Sequence, residues 1–247
     1  MAWTVVFANG KFTDDAKSLN PKYRAFLQKQ LPIAQRAFSR IAKKAGAKDV
    51  SFIVTNEPEL SAYFDKKGYI AKQHNEKLEG RATAASINAA TIKTKKVVGL
   101  TTSVFDLHTE KEVEALLARE VGRVERDRGW PKALAVLLTN VPLLVAGFYN
   151  KVFIGSSIAL CAIVDLLIPG YFSRRQAYKS DKFAAKVVGS AKPLIAAYEK
   201  QLAITDKPGF LERQVSGEPL LERRIRRLEK LEKKLEARKA KAKITVL

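Results

Sequence analysis

The sequence is poor in the residues that build metal and redox centres. Its single cysteine, Cys161, excludes an intramolecular disulfide framework and any cluster of thiolate metal ligands. Only two histidines occur, His74 and His108, so a centre that needs several imidazoles is limited by supply before geometry is considered. Acidic residues are scarce beside basic ones, 25 Asp and Glu against 45 Lys and Arg, for a formal charge of +20. That excess favours a polyanionic neighbour: nucleic acid, anionic lipid headgroups or an acidic partner protein. Charge alone does not choose among the three. Neither a Gly-x-x-x-x-Gly-Lys-Ser/Thr loop nor a Gly-x-Gly-x-x-Gly turn is present, which leaves nucleotide chemistry without an anchor. The opening "MAWTVVFANGKFTDD" has the pattern of neither a secretory signal nor an Arg-rich, acid-poor transit peptide.

What is there reads as an α+β chain. Hydrophobic residues make up 47% of its 247 residues, enough for a substantial core. Val5 to Phe7 and Lys11 to Thr13 flank Asn9-Gly10, a dipeptide that accepts the positive φ angles of a two-residue hairpin turn. Phe26, Leu27, Leu31, Ala34, Phe38 and Ile41 fall at helical spacing over residues 21–45, with Gly46 as a stop and Pro32 as a kink or break. "VSFIVT" from Val50, "AASINAATIK" and "KVVGLTT" have short β-rich patterns and predict a small sheet. Thr109 and Glu112 form a Thr-x-x-Glu capping pattern. After it Val113, Leu116, Leu117, Val121 and Val124 mark one apolar face of a central helix that ends near Trp130.

Two apolar segments follow, from Leu134 and from Val152, separated by Asn150-Lys151. The second approaches the roughly 20 residues that a helix needs to cross a bilayer, while the first is marginal and carries Asn140 and Pro142. Asp165 opposes free lipid exposure. Lys132 and the pair Arg174-Arg175 flank the outer ends, which would place them on the positive-inside face. Residues 134–172 therefore predict a hairpin that spans or dips into a membrane, with a buried helical pair as the competing reading. The chain ends on a basic amphipathic pattern with Leu221, Ile225, Leu228, Leu231 and Leu235 along one stripe. From Glu222 to Lys243 it carries eleven positive and four negative side chains. Arg223, Arg224, Arg226, Arg227, Lys230, Lys233 and Lys234, with Arg174 and Arg175, are the candidate contacts for phosphate or lipid headgroups. No aromatic residue is interleaved there to stack on bases.

Three blocks occur in an order that resembles one family. "VVGLTTSVFDLHTEKEVEALLAREVGRV", "SRRQAYKSDKFAA" and "EPLLERRIRRL" resemble the three motif regions of the HtpX-like membrane zinc metallopeptidases, the group that also holds the CAAX prenyl proteases and a related mitochondrial stress protease. Those motifs are His-Glu-x-x-His on a helix, Ser-Arg-x-x-Glu-x-x-Ala-Asp on a second, and His-Pro followed by an Arg-Ile pair. The resemblance implies a zincin-like fold and would place a catalytic zinc among two histidines and a carboxylate.

At those positions this chain has other residues. Arg119 and Arg123 stand at the two histidine positions, Ala177 at the ligand glutamate and Glu218 at the late histidine, while Glu120 matches the base and Asp181 the second-motif aspartate. A guanidinium is always protonated and purely a donor, so it does not coordinate a cation. The expectation is a catalytically inactive, cofactor-free pseudopeptidase in which Arg119 or Arg123 pairs with Glu120 and Asp181 and supplies charge where a metal would sit. The expected organisation is one metallopeptidase-like domain over residues 1–215, hairpin included, and a basic helix over 216–247. The expected role is that of an accessory subunit among other proteins, at a membrane, with a mitochondrial inner membrane suggested by analogy. A soluble nucleic-acid-binding protein on the same fold is the alternative. Cys161 lies in an apolar segment with no histidine placed to activate it and is assigned no role. His108 is expected at the surface or the start of the central helix, and His74 in a loop.

Overall fold

The computed structural model describes residues 4–8, 10–19, 21–47, 50–56, 89–92, 96–126, 130–149, 154–204 and 219–244. Strands β1 (Thr4–Ala8) and β2 (Lys11–Phe12) pair antiparallel, with Phe7 opposite Phe12 and Ala8 opposite Lys11. Gly10 takes φ +80° in the turn, a conformation that glycine adopts without steric cost. The two rings of the pair meet edge to face at 5.6 Å. A short 3-10 turn (Asp14–Ser18) leads into α1 (Pro21–Ala45), whose buried face is Tyr23, Leu27, Leu31, Ala34, Phe38 and Ile41. The i, i+3, i+4 spacing anticipates that face, except that Tyr23 takes the buried place at the N-terminal end and Phe26 is half-buried. Helix α1 also runs unbroken through Pro32. Pro32 and Gln28, whose carbonyl loses its donor, are both exposed, so the break in the ladder lies on the solvent side of the helix.

Strands β3 (Ser51–Asn56), β4 (Ala89–Ile92) and β5 (Val97–Thr101) join the N-terminal pair in one five-stranded sheet of order β2-β1-β3-β5-β4. Only β3 and β5 run parallel, with Phe52 opposite Val98 and Val54 opposite Leu100. Those four side chains are buried, and the residues between them less so. This two-residue alternation aims one face of the sheet at the helices, where Phe38 of α1 stacks on Phe52 at 5.4 Å.

From β5 the chain enters α2 (Ser103–Leu107) and then α3 (Glu110–Arg126). The capping pattern forms as predicted on its acidic side, where the Thr109 backbone N–H donates to Glu112 Oε2 at 3.1 Å. Helix α3 is buried all round through its middle, from Ala115 to Gly122, so its polar side faces protein rather than water. Beyond it come α4 (Trp130–Tyr149), α5 (Ile154–Val188), α6 (Lys192–Ile204) and α7 (Leu221–Ile244). The class is α+β, as the sequence implied.

Two compact units divide the chain. The first comprises residues 1–125, 180–206 and 221–247, and the second residues 126–179 and 207–220. The basic C-terminal helix α7 thus groups with the sheet and with α3 and α6. In the second unit α4 exposes Leu137, Leu138, Val141, Leu144, Val145 and Phe148, the last at 78%. Ile158 and Leu160 of α5 are exposed as well. Among the described residues no helix is long and apolar enough to cross a membrane, so the span expected of residues 134–172 is not seen there. Polar Thr139 and Asn140 and the helix-internal Pro142 interrupt α4. The side chain of Asp165, His74 and the Asn150-Lys151 turn lie outside the described residues.

Within the first unit α3 and α5 approach closely at Gly122. A Cβ there would lie 2.4 Å from Phe183 Cδ1, well inside van der Waals contact. Alanine elsewhere in a helix gains roughly 0.5–1 kcal/mol over glycine; here overpacking reverses the sign. Gly122→Ala should cost about 1–3 kcal/mol in urea unfolding, and Phe183→Ala on top of it should cost less than the two single changes added together. A Gly122→Ala protein as stable as wild type would contradict this contact.

Candidate active-site remnant

The charged residues of α3, α5 and α7 converge in one buried network. Asp181, near the C-terminal end of α5, accepts from Arg224 Nε at Oδ2 (2.9 Å) and from Arg224 Nη2 at Oδ1 (2.6 Å). This fork geometry fixes both orientation and distance. The Tyr198 hydroxyl, carried by α6, donates to Asp181 Oδ1 at 2.7 Å and also accepts from Arg224 Nη2. The Arg224 guanidinium lies over the Tyr198 ring, 4.3 Å from its centroid. From α3, Arg119 reaches the same carboxylate at 3.8 Å (Nε to Asp181 Oδ1) and pairs with its neighbour Glu120 at 3.3 Å (Nη1 to Oε1). Exposure is 5% for Arg119, 0% for Glu120, 3% for Asp181 and 3% for Arg224.

Electrostatics explain how so many charges lie together away from water. Two guanidiniums face two carboxylates, so the formal charge sums to zero, and each charge has an opposite partner. Burial pushes the Tyr198 phenol well above its usual range, even though Arg119 and Arg224 pull it down. It therefore stays a neutral donor. For Arg224, burial and the nearby Arg119 work against the charged form, and Tyr198 and Asp181 outweigh them, so its affinity for the proton ends above the ordinary value.

Of the residues singled out from sequence, Arg119, Glu120 and Asp181 come together as expected. Arg123 is half-buried and Ala177 buried, four residues before Asp181 on α5. Glu218 lies outside the described residues. Arg224 is a correction: expected on the surface as a polyanion contact, it points inward and is the principal partner of Asp181. The physical reason is helical phase. Arg224 sits three residues after Leu221 and four before Leu228, within the stripe that packs, so the signal was present in the spacing. Arg223, Arg226, Arg227, Lys230, Lys233 and Lys234 are exposed, as is Arg175, and Arg174 is half-buried. Tyr198 was not anticipated at all, because nothing in "AAYEK" marks its hydroxyl as a ligand for a carboxylate.

A zinc ion requires electron-pair donors. At the ligand positions that the resemblance marks, Arg119, Arg123 and Ala177 bring no such donor. Among the described residues no three His, Cys, Asp or Glu side chains are grouped so as to hold a metal ion. The residues present do not fit a zinc centre, and no catalytic step is derived through one.

A second polar cluster caps α3. His108 is buried at the start of the helix rather than on the surface, and its Nδ1 lies 3.3 Å from Glu112 Oε2. Lys200 of α6 donates to the same oxygen at 2.8 Å and to the Leu107 carbonyl at 3.1 Å. Burial lowers His108 to about 4. Two residues earlier Asp106, which accepts from the Tyr23 hydroxyl at 2.9 Å, is raised by burial to about 7.

Each cluster generates a prediction. Arg224→Met or Asp181→Leu leaves one uncompensated buried charge and should cost about 3–5 kcal/mol. The double variant restores neutrality and should be far more stable in urea than the sum implies; strict additivity would contradict the pairing. The pH dependence follows from opposite signs. His108 refuses in the fold a proton that it binds when unfolded, so its contribution is present above 6.5 and is lost as pH falls towards about 4. Asp106 keeps in the fold a proton that it releases when unfolded, so its contribution is present below 3.8 and is lost as pH rises through about 7. They amount to about 3 kcal/mol for His108 and about 4 kcal/mol for Asp106, of opposite sign, and largely cancel. Asp106→Asn should make stability rise with pH between those limits, and His108→Gln should make it fall; unchanged slopes would contradict both assignments.

Comparison with known proteins places this geometry. The model of Peptidase family M48 matches residues 71–232. A protein named Protease HtpX homolog from Janthinobacterium sp. (strain Marseille) is 27% identical over 228 residues, covering 78% of this chain and 70% of that protein. Another of the same name, from Chlorobium phaeobacteroides (strain BS1), is 26% identical over 181 residues, covering 64% of this chain and 58% of its own length. No solved structure matches. The matched region runs from before α2 into α7 and covers most of the chain, and the chain is an HtpX-like member of Peptidase family M48.

Proposed function

We propose that this protein is a non-catalytic member of its family, serving as a structural or accessory subunit of a larger membrane-associated assembly. One observation carries the reading: Arg119 is buried and paired with Glu120, the carboxylate that the resemblance assigns as the base. A general base needs a free lone pair beside a water or a substrate proton. Here the carboxylate is fully buried, with the permanent cation of Arg119 3.3 Å from its Oε1, while Asp181 is taken by Arg224 and Tyr198. The arrangement ties helices together and turns both carboxylates toward cations in the interior. Membrane association is supported by the exposed apolar row on α4, from Leu137 to Phe148. A contiguous exposed apolar surface of this kind marks a site of interaction rather than a solvated face. In this reading the hairpin dips into the lipid and other protein subunits complete its surroundings.

A second reading, a soluble protein that binds nucleic-acid phosphates, is favoured by the exposed cations of α7. Two measurements separate the readings. Wild type and Glu120→Gln should show the same background rate on an unstructured protein substrate; activity abolished by Glu120→Gln would overturn the non-catalytic assignment. After carbonate extraction of native membranes the protein should remain in the pellet with co-purifying subunits. A freely soluble monomer with salt-sensitive RNA binding would overturn the accessory, membrane-associated role and favour the second reading.

A further inference from the structure

Helix α1 carries a feature that neither the fold nor the buried network uses. Its 25 residues contain seven Lys and Arg and no Asp or Glu. Solvated helix faces normally mix signs, because i, i+4 pairs of opposite charge support the helix and like charges weaken it. Among the seven, Arg40 pairs with Glu114 of α3 at 2.5 Å, and Lys44 donates to the Val187 carbonyl at 3.4 Å. Lys22, Lys29, Arg36 and Lys43 are all exposed and recur every seven residues.

Seven residues are two turns. The four side chains therefore drift by only about 20° per step and stand about 10.5 Å apart along nearly one line of the helix surface. Lys29, Arg36 and Lys43 make no hydrogen bond or ion pair with the described residues. Helix stability does not account for the row. The macrodipole favours cations only in the last turn, which covers Lys43, and opposes Lys22 in the first.

We infer that this row is a docking stripe for the anionic surface of a lipid bilayer. The inference rests on the proposed membrane association and deepens it. Helix α1 buries its apolar face against the sheet, with Leu27, Leu31, Ala34, Phe38 and Ile41 committed to the core. It has nothing to insert into hydrocarbon, so the contact is purely electrostatic and peripheral. A straight row of cations meets a flat field of headgroup phosphates along its full length. The side chains exposed alongside them are small or neutral, namely Ala25, Gln28, Pro32 and Ser39. None can stack on a base, so the face lacks the aromatic platform that single-stranded nucleic acid would use. The exposed cations of α7 lie in the same compact unit and add to the same field.

The test is sedimentation of the full chain with vesicles of phosphatidylcholine alone and of phosphatidylcholine with 30% phosphatidylglycerol, about 0.1 M salt in both. Binding to neutral vesicles reads the apolar hairpin, and the increment on anionic vesicles reads charge. Lys29→Gln/Arg36→Gln/Lys43→Gln should weaken the anionic increment about a hundredfold, roughly fivefold per residue, and leave neutral binding and the melting temperature unchanged. Arg226→Gln/Lys230→Gln/Lys233→Gln serves as the comparison. An increment that survives in the α1 variant, or falls only in the α7 variant, overturns the stripe while leaving the hairpin reading intact. Equal wild-type binding to both vesicles does the same. No binding to neutral vesicles overturns the hairpin reading and leaves the stripe to be judged on the anionic increment. Tighter binding to a single-stranded RNA, lost in the α1 variant, would reassign the stripe to nucleic acid and overturn the lipid proposal.

Discussion

The forked pair between Arg224 and Asp181 is the contact on which the organisation of the first unit turns. It joins the last helix of the chain to the C-terminal end of α5, and through the Tyr198 hydroxyl it also holds α6. Arg119 brings α3 to the same carboxylate. Four helices thus meet at one aspartate. A buried ion pair is not by itself a source of stability, since desolvation can offset its attraction. Its effect is to make alternative packings of α5 and α7 costly, because separating those two helices strands a charge out of water.

Around that pair the rest of the unit is fitted closely. Gly122 lets Phe183 lie against α3. Helix α7 also completes the turn between α5 and α6. Glu232 accepts from the Ser190 hydroxyl at 2.9 Å and from the Ala191 backbone N–H, and Lys239 donates to the Gly189 carbonyl at 2.6 Å. The Ala191 contact satisfies a backbone donor just ahead of α6, and the Lys239 contact a backbone acceptor just past the end of α5. A helix that reads from sequence as a charged appendage is therefore built into the core architecture. Of its four acids Glu232 is used inward and Glu236 is paired with Lys192 at 2.7 Å.

How much of this the sequence disclosed depended on the range of the interaction. Local signals were reliable: the Gly10 turn, the face of α1 from Leu27 to Ile41, the cap at Glu112 and the β-rich segments all appear where their spacing placed them. The joining of the N-terminal hairpin to β3 and β5 in one sheet was not legible, because strand order is set by tertiary packing and not by any single segment. At the site, motif order revealed Arg119, Glu120 and Asp181, while the partner of Asp181 was misplaced on the surface. Composition classed Arg224 with its exposed neighbours; its phase between Leu221 and Leu228 should have outweighed its charge. Tyr198 and the burial of His108 depended on contacts distant in sequence, Asp181 and Lys200 respectively. The apolarity of residues 134–172 was legible as a pattern, and the structure resolves it into exposed side chains on α4 and α5.

Family membership and the buried network together support the proposal that a peptidase framework has its centre held by arginine–carboxylate pairs in place of a metal. Metal content measured alongside thermal stability tests that claim most directly. Full-length protein purified from zinc-supplemented medium should contain far less than one zinc ion per chain, and its melting temperature should not change on addition of a chelator. A content of about one zinc per chain, with a melting temperature that drops on chelation, would show that metal still organises the fold and would contradict the account.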